Sequence, residues 1–495
     1  MSSPIILAID EGTTNAKAVA INREGQIVGR SGVGVEMTHP APGLAEQDPL
    51  AIWQAVVEAI NGCLQQAGPV TVAGIAISNQ RESVLIWQRV DGKPLTPVVS
   101  WQDRRSEARC AQLQAEGHHA LITQLTGLPV DPLFPAAKIS ALLDALPDGV
   151  ERAARGELCI GTLDSWLNWQ FSAGRAFTTD YANAARTQLF NIYDGQWDPQ
   201  LLALFNVPRA ALAEVRPSCG LHGEVQVGFI PGLPVGTPVL SLIGDSHAAL
   251  YAQRRACGNV VKATYGTGSS LMLSLPEPVF RANRLSTTLA WHDGERTFAL
   301  EGNITHTGSG AAWLGRMIGV TNPTELTALA QSVADNQGVY YVPALSGLGA
   351  PWWDLQARGM LCGLTDAATP AVLARAALES VVYQIADVFF AMEQACGQTL
   401  NTLCVDGTAT QNRWLMQLQA DVLQRPLMIQ PAAEVSALGA ALLAGRALGW
   451  WLDDMPAALS GMGERIEPQR AAQQQMQQNY KQWLEAVARC RFQPN

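Results

Sequence analysis

Lysine is scarce in this 495-residue chain: only Lys17, Lys93, Lys138, Lys262 and Lys481 occur, against 33 basic residues in all. Forty-three acidic residues bring the net charge to −10, and charged residues make up only 15% of the total. Such a chain lacks the basic surface that nucleic-acid binding requires, and it must hold any polyanionic ligand mostly with groups other than lysine. Long apolar runs are missing too. No window reaches about 18 uninterrupted apolar residues, since even the Ala/Leu-rich stretch near Leu442 is cut by Arg446, so no membrane partner is expected. No pair among the nine cysteines has the C-x-x-C spacing of zinc or dithiol redox sites. They read as reduced thiols. The N-terminus MSSPIILAID has no basic segment ahead of a long apolar core, so a secretory signal is not expected and a cytoplasmic setting follows. What is abundant is core-forming material, 48% hydrophobic, enough for about two to four domains at this length.

The apolar runs are short and punctuated. Ile5 to Ile9, Ala16 to Ile21 and Gln26 to Met37 read as three strands joined by tight polar turns, an antiparallel meander. After Pro49, apolar residues at Trp53, Val56, Val57, Ile60, Cys63 and Leu64 recur with a helical period, and Val70 to Ser78 reads as a fully buried strand. Strands followed by a helix and a further strand indicate an α/β domain. A second set begins after Gly244-Asp245: strand-like Asn259 to Ala263, the turn Tyr265-Gly266-Thr267-Gly268, and strand-like Ser270 to Leu275. Ser286 to Trp291 and Thr297 to Leu300 flank Asp293-Gly294, a hairpin signal. Helical periods run from Ser309 to Met317, Pro370 to about Ala395, Asn412 to about Leu423 and Glu434 to about Leu448, with a strand at Thr402 to Val405. Both halves therefore open alike, as strand, Gly/Thr turn and strand. This pattern of an old duplication divides the chain into domains 1–250 and 251–495.

Three Gly/Thr turns stand out. Asp10-Glu11-Gly12-Thr13-Thr14 leaves the first strand, Tyr265 to Gly268 opens the second half, and Asp406-Gly407-Thr408-Ala409 precedes Gln411-Asn412 and a helix. Such turns can offer backbone N–H groups and hydroxyls to phosphate oxygens, and an aspartate at a strand end can organise hydrated Mg²⁺. Lys17 lies close enough in sequence to reach a terminal phosphate. Each turn alone is equally an ordinary hairpin or loop; together they suggest a nucleotide phosphate clamp between two domains. Asp245, alone, would serve equally well as a helix N-cap before Ala248 and Ala249.

The motifs also carry a resemblance. DEGTT at Asp10 to Thr14, SNQRES at Ser78 to Ser83, WQDRR at Trp101 to Arg105, TDYANAARTQLFNI at Thr179 to Ile192 and GDSHAAL at Gly244 to Leu250 resemble the FGGY carbohydrate kinases, and among them most the glycerol kinases. TYGTG at Thr264 to Gly268, GLGAPWWD at Gly347 to Asp354, ARGMLCGLT at Ala357 to Thr365 and VDGTATQN at Val405 to Asn412 extend the likeness over essentially the whole chain. The resemblance implies two actin-like (ribonuclease H-like) α/β domains closing on ATP and a small polyol or sugar in a central cleft. It implies that Asp245 is the general base, that Arg81 and Glu82 fix substrate hydroxyls, and that Trp101 forms an apolar wall. Thr13, Thr14, Lys17, Thr267, Gly308, Thr408 and Asn412 match nucleotide or phosphate contacts, and Asp10 the Mg²⁺-organising position. A homodimer or homotetramer is expected by the same likeness.

Several positions depart from the glycerol kinase pattern. Leu133 stands where those enzymes usually carry a tyrosine, Ser246 where they carry a glutamine and Ser270 where they carry a phenylalanine. A wider pocket with a differently polar far end follows, suited to a four- or five-carbon alditol or ketose, with glycerol a poorer substrate. A xylulose- or ribulose-type pentulose kinase is the neighbouring alternative, and an actin-like conformational ATPase a more distant one. On the nucleotide side Thr408 replaces a glycine and Ala312 a glutamine. Gly228 to Gly232 lacks the lysine of the loop that binds fructose bisphosphate in some glycerol kinases, so that regulation is not expected.

Overall fold

The computed structural model describes residues 3–279, 284–354, 356–430, 434–452, 455–456 and 463–491. Its two main sheets divide between the halves of the chain. The first has six strands in the order Cys219–Glu224, Pro238–Gly244, Val70–Asn79, Ser3–Glu11, Asn15–Asn22 and Ile27–Gly34. The expected meander is present as its last three strands, the third ending at Gly34 rather than Met37. The strands Pro238–Gly244, Val70–Asn79 and Ser3–Glu11 are parallel neighbours.

Period-2 geometry explains why Ile5 to Ile9 is apolar without interruption. Ile5, Leu7 and Ile9 face helix Pro49–Ala67, packing in one core with its Ile52, Val56 and Ile60. Ile6 and Ala8 face the opposite side, in a core shared with Ala437, Ala440 and Ala441 of helix Val435–Ala447. Helix Pro49–Ala67 starts where Asp48 accepts a hydrogen bond from the Leu50 amide at 2.8 Å, with Pro49 in the first turn.

The second sheet has seven strands, in the order Ser286–His292, Arg296–Ile304, Ser269–Leu275, Val261–Tyr265, Leu403–Asp406, Leu427–Ile429 and Glu464–Ile466. Its Asp293-Gly294 hairpin forms as expected. Helix Pro370–Cys396 lies in the core of this half. A smaller four-stranded sheet in the first half is built from Glu46–Gln47, Val98–Val99, Val84–Gln88 and Leu158–Thr162, in that order.

The halves are joined by a close helix pair. Helix Asp245–Cys257 follows directly from the first sheet, and helix Val435–Ala447 of the second half crosses to pack on it. A Cβ on Gly439 would lie 1.8 Å from the Ala248 carbonyl oxygen, so only glycine permits this approach. The Ser241 hydroxyl donates to the Ala440 carbonyl at 2.9 Å on the same seam. No helix among the described residues is long and apolar enough to cross a membrane.

Candidate functional site

Three motifs far apart in sequence meet because three parallel strands end together. Register sets Asp10 beside Ser78 and Ile243 beside Ser78, so Asp10, the Gln80-Arg81-Glu82 segment and Asp245 leave the same carboxyl edge of the first sheet. In open α/β sheets this edge is where ligands bind. Asp245 opens helix Asp245–Cys257, its carboxylate accepting a hydrogen bond from the Ser246 amide and lying 3.5 Å from Arg81 Nε. Its side chain is 36% exposed, whereas Arg81 is 9% exposed. Gly244 makes room for this contact: a Cβ there would sit 2.6 Å from Arg81 Cγ.

Beneath Arg81 and Glu82 runs a buried chain of alternating charges. Arg81 donates to Glu301 Oε1 at 2.8 Å; Arg186 pairs with Glu301 Oε2 and donates to Glu82 Oε1, both at 2.5 Å. Glu301 is fully buried and Arg186 only 1% exposed. Burial alone would raise the Glu301 carboxyl, but the guanidinium groups of Arg186 and Arg81 outweigh it and hold Glu301 well below the usual carboxylate range. Burial would likewise lower Arg81, and Glu301, Glu82 and Asp245 together raise it instead. Glu82 turns with φ of 61°, a left-handed conformation costing on the order of 1 kcal/mol, which aims its carboxylate at Arg186. His247 is buried beside this group, and burial lowers it well below its ordinary range, so it stays neutral.

Leu133 and Ser100, the residue before Trp101, share one anchor. Lys138 is buried, and its ammonium donates to the carbonyls of Ser100 at 2.8 Å and Leu133 at 2.9 Å. Burial brings its pKa down to about 8. Trp101 is 36% exposed, and its indole N–H donates to the Thr13 hydroxyl at 3.0 Å, tying an expected pocket wall to the first Gly/Thr turn.

On that turn Asp10 is half-buried and accepts from the Ser78 hydroxyl at 2.9 Å. Burial and the nearby Asp245 charge raise its pKa to about 6, with Lys17 opposing. Lys17 faces Asp10 across the antiparallel pair. Thr14 is exposed on the same turn. The turns of the second half also converge: a Cβ on Gly407 would lie 2.2 Å from the Tyr265 carbonyl oxygen, and one on Gly308 2.6 Å from that of Gly266. Thr267 is exposed at the tip, its carbonyl accepting from the Thr307 and Ser309 amides. Thr408 is exposed at the start of a short 3₁₀ turn. Asn412 caps helix Arg413–Leu423, accepting from the Leu415 amide at 3.1 Å and donating to Thr327 at 3.0 Å. Ser270 reaches within 3.5 Å of Glu301 Oε1.

Sequence reasoning assigned no role to Arg186, Glu301, Lys138 or His247. Arg186 and His247 sit inside quoted motifs, which was a usable signal. Glu301 gave another: a carboxylate directly following the apolar run Phe298-Ala299-Leu300 in a strand, a place that demands a partner once buried.

Residues 5–252 match the N-terminal domain, and residues 261–448 the C-terminal domain, of the FGGY family of carbohydrate kinases. The chain is 60% identical to an apulose kinase of Pectobacterium atrosepticum, with all of both chains covered. It is 42% identical to a glycerol kinase of Thermus brockianus, covering 98% of each. Among solved structures, Plasmodium falciparum glycerol kinase with ADP superposes with a TM-score of 0.93 at 29% identity, covering 100% of this chain and 99% of that one. The shared strand edge, the convergent Gly/Thr turns and these likenesses lead to one conclusion: the chain belongs to the FGGY family of carbohydrate kinases and phosphorylates a sugar or polyol with ATP.

Proposed function

We propose that the protein is a kinase for a branched or linear five-carbon ketose, with apulose its preferred acceptor, and that Asp245 is the general base. The observation that carries the base assignment is the placement of Asp245: it is open to the cleft at a helix N-terminus, beside Arg81. An alcohol becomes a good nucleophile as its proton leaves, and a carboxylate within hydrogen-bond reach can accept that proton. Arg81 and Glu82, locked by Glu301 and Arg186, present donors and acceptors to neighbouring hydroxyls of a neutral substrate. Catalysis of this kind depends on positioning and electrostatic stabilisation. In this reading residues 1–250 supply the base and most of the sugar site, residues 251–495 supply most of the nucleotide site, and closure about Leu250 to Gly258 excludes water.

The choice of substrate rests on Leu133, Ser246 and Ser270 in place of larger or differently polar groups, and on the 60% identity to a kinase named for apulose. A coupled assay of ADP release over apulose, xylulose, ribulose, erythritol and glycerol should give the highest kcat/KM with apulose. A glycerol optimum would reject this substrate.

On the nucleotide side, Thr13, Thr14, Lys17, Thr267, Gly308, Thr408 and Asn412 surround the phosphates in this reading. Asp10 fits a Mg²⁺ site: a half-buried carboxylate with a raised pKa is one that a cation would stabilise. No cluster of three metal-binding side chains exists among the described residues, which suits Mg²⁺ held by one carboxylate, waters and substrate phosphates. When bound, Mg²⁺ would neutralise charge on the phosphates. Asp10 is ionised above about pH 6, so protons compete with the cation below that value. The Mg²⁺ concentration for half-maximal activity should rise about tenfold per pH unit below pH 6 and stay level above about pH 7. A flat profile would remove Asp10 from that role. Nine free thiols accord with a cytoplasmic setting, and a homodimer or homotetramer completes the proposal.

A further inference from the structure

The cleft face of the second sheet carries a row of polar side chains that phosphoryl transfer itself does not require. Pairing sets Thr264 opposite Ser270 and Ser270 opposite Asn303, on three adjacent strands. Facing residues of an antiparallel pair project to the same side, about 4.5–5.5 Å apart at Cβ. That side is the substrate side: Glu301, two residues before Asn303 and so on its face, holds Arg81, and Ser270 Oγ lies 3.5 Å from Glu301.

Burial singles out the same row. Thr264 is the one residue of Val261–Tyr265 that is not buried, and Ser270 is the one in Ser269–Leu275. Asn303 is the one interior position of Arg296–Ile304 left accessible. Three breaks at one level of adjacent strands describe an opening over that level. The Asn303 side chain makes no hydrogen bond to another described residue, although its amide can donate two and accept two.

We infer that Asn303, with Ser270 and Thr264 beside it, forms a subsite for a hydroxyl-bearing part of the sugar beyond the carbons held by Arg81 and Asp245. The inference rests on the cleft being the sugar site. Ser270 keeps the amide accessible, where a phenylalanine would cover it. The two positions therefore act together: the small residue opens the space and the amide reads what enters it. Glycerol has no group to place there. A ketose or alditol of four or five carbons, or one with a hydroxymethyl branch, does.

Steady-state kinetics with apulose, xylulose, erythritol and glycerol on the wild type, Asn303→Ala and Ser270→Phe test this, with thermal melts to verify folding. Asn303→Ala should lower kcat/KM for apulose about tenfold more than for glycerol, the factor one neutral hydrogen bond carries. Ser270→Phe should shift the same ratio in the same direction, and it decides the matter alone if Asn303→Ala does not fold. An equal loss on all acceptors in a folded variant overturns the subsite while leaving the kinase reading intact. A wild type that prefers glycerol to every longer acceptor overturns both.

Discussion

Replacing Asp245 by asparagine lowers kcat by about two to four orders of magnitude, the range general-base removal commonly produces, while ATP binding and thermal stability stay close to wild type. The amide has the same shape and its oxygen can still accept the hydrogen bond of the Ser246 amide. Arg81 keeps its partner Glu301 at 2.8 Å, so the buried network survives the change. What disappears is the negative charge and the proton acceptor facing the cleft. A second signature distinguishes this from a general loss of structure. Asp245 is one of the groups raising the Asp10 pKa to about 6, so the variant should bring Asp10 nearer its ordinary value of 3.8. Residual activity should then tolerate lower pH at a given Mg²⁺ concentration. Rapid-quench turnover and nucleotide titration measure both arms, and undiminished turnover would exclude Asp245 as the base.

Glu301→Gln has the largest expected effect on stability, about 3–5 kcal/mol by chemical denaturation, because it leaves Arg81 and Arg186 buried without their shared carboxylate. The affected residues come from both halves of the chain, so the loss falls on the interface that forms the cleft. Arg81 then lacks the support of Glu301, and if it holds the sugar as proposed, KM for the sugar should rise more than KM for ATP. Glu301 is held ionised well below its ordinary value of 4.5. With a depressed folded pKa, its contribution is complete above that ordinary value and is lost only as pH falls through the lower folded one. The stability difference between wild type and variant should therefore be constant across neutral pH. Equal stability of the two proteins would show that the pair with Arg186 does not hold the halves together.

Much of the framework was legible in the sequence for definite reasons. The run Ile5 to Ile9 is apolar because both faces of its strand are covered, and proline at positions 49 and 370 follows a capping residue at each helix start. Glycines 407 and 308 mark places where one turn lies against another. The family resemblance named Asp10, Arg81, Glu82, Trp101 and Asp245 as candidates, and the structure places them at or just past strand ends, where the chain must turn. Less was legible between residues 84 and 240, where short strands and helices lack long periods.

By itself the sequence determined most of the elements and the residue types that the proposed phosphate-binding, hydroxyl-reading cleft would need, since periodicity and turn chemistry act over neighbouring residues. Only the tertiary structure decided which distant residues share a charge, a face or an anchor. Glu301 meets Arg81 and Arg186 across 220 and 115 positions of chain, Lys138 joins the backbones of Ser100 and Leu133, and strand register alone sets Asn303 beside Ser270. A buried ion pair requires its partner at contact distance in space, and that distance is set by how the sheets pack, which separation along the chain does not encode.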